Sequence, residues 1–250
     1  MGVGQVTPSI EIDGLTVAYD GGDVLHGVCG RFPAGVLCAV VGPNGSGKTT
    51  LLKTIAGLLR PKSGCVRLAA GAAGGIAYLP QRAGFDRTFP IAVRDVVAMG
   101  LWPRSGGFRR VTRAQRDEVE AAIAAVGLSA VADRPIGTLS GGQTRRVLFA
   151  RTMVQDAAAI LLDEPFSNVD TDTTAYLLAL MEGWRGEGRI VVAVLHDLDL
   201  AHTHFGWTML LAHESVACGP TESVLTPKNL GRARHLCDRC AADRNFWAAA

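Results

Sequence analysis

The sequence predicts an α/β fold built on a parallel sheet, and three features predict it. Residues 36–41, 157–162 and 190–195 are continuous apolar runs of six residues bounded by turn formers, the pattern of strands covered on both faces. A helix-type repeat over residues 171–185 separates the last two, so strand, helix and strand follow one another within the length of a βαβ unit. The first run leads through a glycine-rich turn into a second helical repeat, residues 48–59. There Leu51, Leu52, Ile55, Ala56 and Leu59 recur at helical spacing and Pro61 follows the end.

The remaining elements fit around that core. Short β-type segments at 10–12 and 15–19, with turns such as Asp20-Gly21-Gly22, predict that the chain opens as an N-terminal antiparallel β subdomain. Residues 93–101, 113–126 and 142–154 carry a 3.6-residue period between glycine and proline breaks, which predicts an α-helical subdomain inserted over about 85–150. No repeat is visible, and the longest biased tract is the Ala/Gly stretch at 68–77.

Composition excludes several classes. With 48% hydrophobic and 19% charged residues, the 250-residue chain buries enough apolar surface to offset its folding entropy. The apolar runs fall far short of the roughly 20 residues that cross a bilayer. The first ten residues lack a basic segment followed by an apolar one, so a cytoplasmic location is expected. Twenty-five basic against 23 acidic residues leave a net charge of +2, which argues against a nucleic-acid partner. Six cysteines are too sparse for a disulfide framework, and Cys38, inside an apolar run, reads as a small core residue.

Chemistry enters at Gly42-Pro43-Asn44-Gly45-Ser46-Gly47-Lys48-Thr49-Thr50, which fits G-x-x-x-x-G-K-[ST] and lies between a strand and a helix start. Glycines let backbone N–H groups turn inward around an anion, the helix start adds partial positive charge, and Lys48 supplies a full charge to β/γ-phosphates. Thr49 offers its hydroxyl to Mg²⁺. A second element ends the run 159–162 in two carboxylates, Asp163 within reach of the Mg²⁺ shell and Glu164 toward the γ-phosphate, where it polarises water. Taken alone, two acids after a strand are a solvated turn; beside the glycine-rich loop they turn nucleotide binding into hydrolysis.

Leu139-Ser140-Gly141-Gly142-Gln143 reads locally as a helix start, with Ser140 as N-cap and two glycines exposing N–H groups. Together with the loop and the Asp-Glu pair, over about residues 9–228, it resembles the nucleotide-binding subunit of ATP-binding cassette (ABC) transporters, a P-loop NTPase with a RecA-like core. The resemblance implies a head-to-tail homodimer, each ATP lying between the P-loop of one chain and Ser140, Gly141, Gly142 and Gln143 of the other. It implies that Tyr19, 23 residues before Gly42, stacks on adenine. It further implies that Gln81 senses Mg²⁺ and the attacking water, that His196 contacts the γ-phosphate, and that Asp170 closes the partner-crossing loop Ser167-Asn168-Val169-Asp170. In isolation Tyr19 is a sheet-edge aromatic, Gln81 a loop polar residue and His196 a helix cap. Arg145 departs from the Gln that many relatives carry; lying past the anion-facing turn, it is expected to leave catalysis intact.

A lone cassette implies separately encoded membrane permease subunits and a place at the cytoplasmic face of the membrane. Residues 87–100 resemble the corresponding segment of metal-uptake systems for zinc, manganese or iron, which implies an extracytoplasmic metal-binding protein as an indirect partner. Importers of iron-siderophores or cobalamin, an exporter, and a soluble cassette acting on ribosomes or DNA are the alternatives. His235, Cys237 and Cys240 form a C-x-x-C with a histidine, read as a surface helix or a metal site, and residues 229–250 have no assigned role. His202 and His204, two residues apart, are read as structural.

Overall fold

The computed structural model describes residues 8–19, 22–68, 75–81, 89–106, 110–167 and 169–248. The chain runs β1 (Ser9–Tyr19), β2 (Gly22–Pro33), β3 (Leu37–Val41), α1 (Lys48–Ile55), β4 (Ser63–Leu68) and β5 (Ile76–Leu79). Helices α2 (Val93–Ala98), α3 (Trp102–Ser105), α4 (Arg113–Ala125) and α5 (Gly141–Gln155) follow. The core then resumes with β6 (Ala159–Leu162), α6 (Thr171–Gly186), β7 (Ile190–Val194), α7 (Leu198–His204), β8 (Trp207–Ala212) and β9 (Glu214–Pro220). Two helices, α8 (Thr221–Val224) and α9 (Pro227–Ala248), complete it.

The three apolar runs are neighbours in one sheet of order β5-β6-β7-β3-β8-β9, parallel except for the antiparallel edge strand β9. Every residue of β3, β6 and β7 is buried, as continuous apolar runs require. Alternate residues serve two cores. Leu37, Ala39, Val41, Ile160, Leu162, Val191 and Ala193 face the helical layer containing Val97, Ile123, Phe149 and Leu177. Cys38, Val40, Ala159, Leu161, Val192 and Val194 face α1 and the antiparallel sheet β2-β1-β4, through Leu51, Leu52, Leu15 and Phe32. Cys38 is fully buried, and that burial pushes its thiol pKa well up.

Differences from the sequence reading have local causes. The segments 10–12 and 15–19 are one strand, because the β1/β2 register slips between Ile12 and Leu15 and Gly14 takes φ 58°. Helix α1 stops at Ile55 and not at 59: Gly57 turns left-handed at φ 74° and Leu58 is 61% exposed. The repeat at 93–101 divides, α2 passing into a 3₁₀ turn, Met99–Leu101. Helices α4 and α5 each start with a capping box, Thr112 with Gln115 and Ser140 with Gln143, which explains their sharp N-termini. His202 and His204 are both exposed on α7.

Candidate functional site

The glycine-rich loop connects the central strand β3 to α1, so its backbone N–H groups sit at the carboxyl edge of the parallel sheet, where open α/β sheets bind ligands. Two glycines are there for space: a Cβ on Gly42 would lie 2.0 Å from the Leu211 carbonyl oxygen, and one on Gly47 2.5 Å from Leu25 Cδ2. Lys48 is buried, and its ammonium donates to the carbonyls of Gly42 at 2.9 Å and Pro43 at 2.8 Å, leaving a third donor for an anion. Burial lowers the Lys48 pKa against the opposing pull of the Glu164 and Asp163 carboxylates. Asn44, Gly45, Gly47, Lys48, Thr49 and Thr50 line an open cleft of about 470 Å³, faced by Gln81, Glu164 and His196. The loop's Ser46 hydroxyl is buried with no hydrogen-bond partner.

Two carboxylates follow β6 with different environments. Asp163 has no exposed surface; its Oδ1 accepts from Thr49 Oγ1 at 3.2 Å and its Oδ2 from the Tyr78 hydroxyl at 3.2 Å. Burial raises its pKa, the two hydrogen bonds working against that rise. Glu164 stands in a left-handed conformation, φ 49°, which a non-glycine residue adopts at a cost. His196 Nε2 lies 2.5 Å from its Oε1, while Gln81 Nε2 at 2.6 Å and Ser167 Oγ at 2.9 Å donate to its Oε2. Burial works to raise the Glu164 pKa, but the bonds from His196, Ser167 and Gln81 outweigh it and hold the carboxyl below its ordinary range.

The structure therefore brings Asn44, Gly45, Gly47 to Thr50, Gln81, Glu164 and His196 to one cleft, with Asp163 buried behind it on Thr49 and Gly42 and Pro43 holding Lys48. His196 is no helix cap; Asp197 is, accepting from the Asp199 and Leu200 amides to start α7. Others lie elsewhere. Tyr19 ends β1 with 48% of its surface exposed and does not line the cleft. Ser140, Gly141, Gly142 and Gln143 begin α5 outside the cleft as well, Ser140 capping the Gln143 amide. Asp170 caps α6 through Thr173 N at 2.7 Å, which lowers its pKa. Asn168, Arg87 and Thr88 lie outside the described residues, as does the Cys240 side chain; His235 and Cys237 stand on α9. Among the described residues no cluster of three or more His, Cys, Asp or Glu side chains forms a metal site.

Several contacts of the site escaped the sequence reading. Tyr78 and Ser167 bond the two carboxylates, and His213, at φ 63°, donates its amide to the Ser46 carbonyl at 3.0 Å beneath the loop. Arg145 lies past the Ser140–Gln143 turn, on α5, but it is buried and turned toward the Asp163–Glu164 strand end. Tyr78, His213 and Arg145 have no local signature, because their partners are supplied by other elements of the fold, whereas Ser167 bonds Glu164 three residues before it.

An anion loop on the central strand, an oxygen-rich carboxylate pair and a glutamate bonded to a glutamine and a histidine define a nucleotide-hydrolysing P-loop protein. The family model for ABC transporters matches residues 25–167. The chain is 39% identical to the manganese transport system ATP-binding protein of Bacillus subtilis, over 94% of this chain and 97% of that one. It is 40% identical to the zinc transport system ATP-binding protein of Treponema pallidum, over 90% and 86%. Among solved structures, an inward-facing transporter assigned to the metal-chelate type superposes with a TM-score of 0.81 at 27% identity, covering 91% of this chain and 89% of that one. The ADP form of another ATP-binding cassette shares the fold at a TM-score of 0.77, 19% identity and 92% and 99% coverage. The chain belongs to the ABC transporter family: it is an ATPase subunit that works with membrane permease subunits. No helix among its described residues is long and apolar enough to cross a membrane itself.

Proposed function

We propose that the protein is the motor of a metal-ion importer, hydrolysing ATP to drive uptake of zinc or manganese through a separate permease. The observation that carries the catalytic part is Glu164, an ionised carboxylate at the mouth of the loop, bonded by Gln81, His196 and Ser167. A glutamate so placed accepts a proton from water attacking the γ-phosphate, with Gln81 and His196 orienting the reactants. The metal part is supported by relatives named for manganese and zinc that match nearly the whole chain.

The donor set fits Mg²⁺. Thr49 Oγ1 and the Asp163 carboxylate meet at 3.2 Å, a hard, all-oxygen pair, and Gln81 has an amide oxygen to add while its nitrogen holds Glu164. The ion, when bound, neutralises charge developing on the β- and γ-phosphates. Tyr19, exposed at the end of β1, offers an aromatic face to adenine.

Because Ser140 to Gln143 lie outside their own chain's cleft, the reading gives them to the nucleotide of a second copy, in a head-to-tail homodimer at the cytoplasmic face. Asp170 holds the start of α6 beside that crossing. An extracytoplasmic metal-binding protein delivers the cargo, and no nucleic acid takes part. The test is reconstitution with the cognate permease and binding protein: ATP-dependent uptake of zinc or manganese is expected. Uptake undiminished in Glu164→Gln would refute the catalytic assignment, and transport of a siderophore, cobalamin or an outward-moving cargo instead would refute the metal.

A further inference from the structure

Arg145 sits one helical turn into α5, a few residues after the Ser140–Gln143 start, and is 7% exposed. A guanidinium carries five N–H donors, and here each group of them is matched to a carbonyl oxygen. Nε donates to Pro165 at 3.0 Å. Nη1 donates to Pro80 and Gln81, both at 3.2 Å. Nη2 donates to Asp163 at 3.1 Å and to Glu164. All five acceptors belong to the two segments that carry the reacting groups: the residues leading to Gln81, and the strand end carrying Asp163 and Glu164.

Two features make this more than a buried cation with its bonds satisfied. Glu164 has a left-handed backbone, and a non-glycine residue stays there only where its surroundings over-determine it; Arg145 takes the carbonyls on both sides of it and its own. Gln81 is held through its backbone by the same guanidinium that holds Glu164, which fixes the 2.6 Å bond between their side chains. The planar fork does this where a flexible ammonium, a single point, does not.

We propose that Arg145 is a positioning residue that holds Glu164 and Gln81 in reacting register and ties both to the helix start formed by Ser140, Gly141, Gly142 and Gln143. The inference rests on the reading of Glu164 as the base. Through Arg145, a displacement of the α5 start by a partner's nucleotide reaches the strand end and Gln81 of the same chain, linking the two ATP sites of a dimer.

The test compares the full chain with Arg145→Met, which keeps an unbranched apolar stem and no donors, and Arg145→Gln, whose amide supplies two. Misplacement of a catalytic group by an ångström costs on the order of 100-fold, so kcat in the Met variant is expected to fall about 10- to 100-fold with KM for ATP within about twofold. The Gln variant is expected to lie between, and in both the acidic limb of the kcat profile moves to higher pH as the bonds to Glu164 loosen. A merely structural role lowers the folded fraction and leaves that limb in place. Amide exchange in the absence of nucleotide is an independent reading: the Ser167 amide, which donates to the Glu164 carbonyl, and the Asp163 amide, which donates to Leu79, exchange about tenfold faster in either variant. A Gln variant with wild-type exchange and a wild-type pH profile would overturn the proposal even if the Met variant did not fold. If the wild-type chain hydrolysed no ATP, the reading of Glu164 would fall, while the exchange measurement would still decide whether Arg145 holds these segments.

Discussion

Tyr78→Phe removes a single oxygen atom and isolates one interaction. The Tyr78 hydroxyl donates to Asp163 Oδ2, Thr49 supplies the bond to Oδ1, and Asp163 has no exposed surface through which water could replace either. A hydrogen bond to a charged group contributes about 1.5–3 kcal/mol. At about 1.36 kcal/mol per tenfold, its loss favours the proton-bound carboxyl by roughly 10- to 150-fold. Burial has already raised this carboxyl, so the substitution moves it further in the same direction. Two measurements follow. In urea unfolding, the variant's destabilisation is expected to be largest at high pH, where Asp163 is ionised, and to shrink as pH falls through the carboxyl's folded-state range. In ATP hydrolysis, the Mg²⁺ concentration for half-maximal rate rises, and rises more at the lower of two pH values, because a proton then competes better for Asp163. A variant with pH-independent destabilisation and a wild-type Mg²⁺ requirement at both pH values would refute the reasoning.

Lys48→Ala removes the charge from the anion loop and leaves the Gly42 and Pro43 carbonyls without their donor, so ATP affinity by equilibrium dialysis should fall at least about tenfold. Glu164→Gln should retain ATP binding and lose about 10²- to 10⁴-fold in kcat, with dimer accumulating in ATP on size exclusion; normal turnover would remove Glu164 from its role. His196→Ala strips one of the bonds that hold Glu164 below its ordinary range, so the acidic limb of kcat should shift to higher pH. The sign follows from a depressed acid: the stabilisation is complete above the unfolded value and is lost as pH falls through the folded one, and the window narrows when the depression is relieved.

What was legible in the chain was what is local. The loop at 42–50, the apolar strand ending in Asp163 and Glu164, and the Ser140 N-cap each declare themselves within ten residues, because geometry and residue choice are coupled over that range. Gln81 and His196 have no such context; only the family resemblance singled them out, and the fold brings both to Glu164 from 83 and 32 residues away. The edge strand β9 and the long strand β2 went unread, since their residues are largely half-buried or exposed and mixed in character. The acceptors of Arg145 went unread for a related reason. A helical arginine near a surface turn is ordinarily solvated, and nothing in residues 139–147 announces that its acceptors come from Pro80, Gln81 and Asp163 to Pro165.

The position of the α5 start relative to the cleft also bounds the energetics of the motor. Driving an open-to-closed equilibrium from 1:99 to 99:1 requires about a 10⁴-fold preference for the closed form, roughly 5.5 kcal/mol. Two equivalent nucleotides share that requirement, so each needs about a 100-fold preference, on the order of 2.7 kcal/mol. One or two charge-assisted hydrogen bonds of about 1.5–3 kcal/mol supply it. The amides of Gly141 and Gly142, in the first turn of a helix, have no intrahelical acceptor, whereas Gln143 N is taken by Ser140 Oγ. On the proposed head-to-tail arrangement, two such donors per site would suffice for closure, and hydrolysis, by detaching the γ-phosphate from them, would reopen the pair. Turnover per chain should consequently fall on dilution below the dimer's dissociation constant; a rate untouched by dilution would leave this helix start without a ligand and the motor without its closing force.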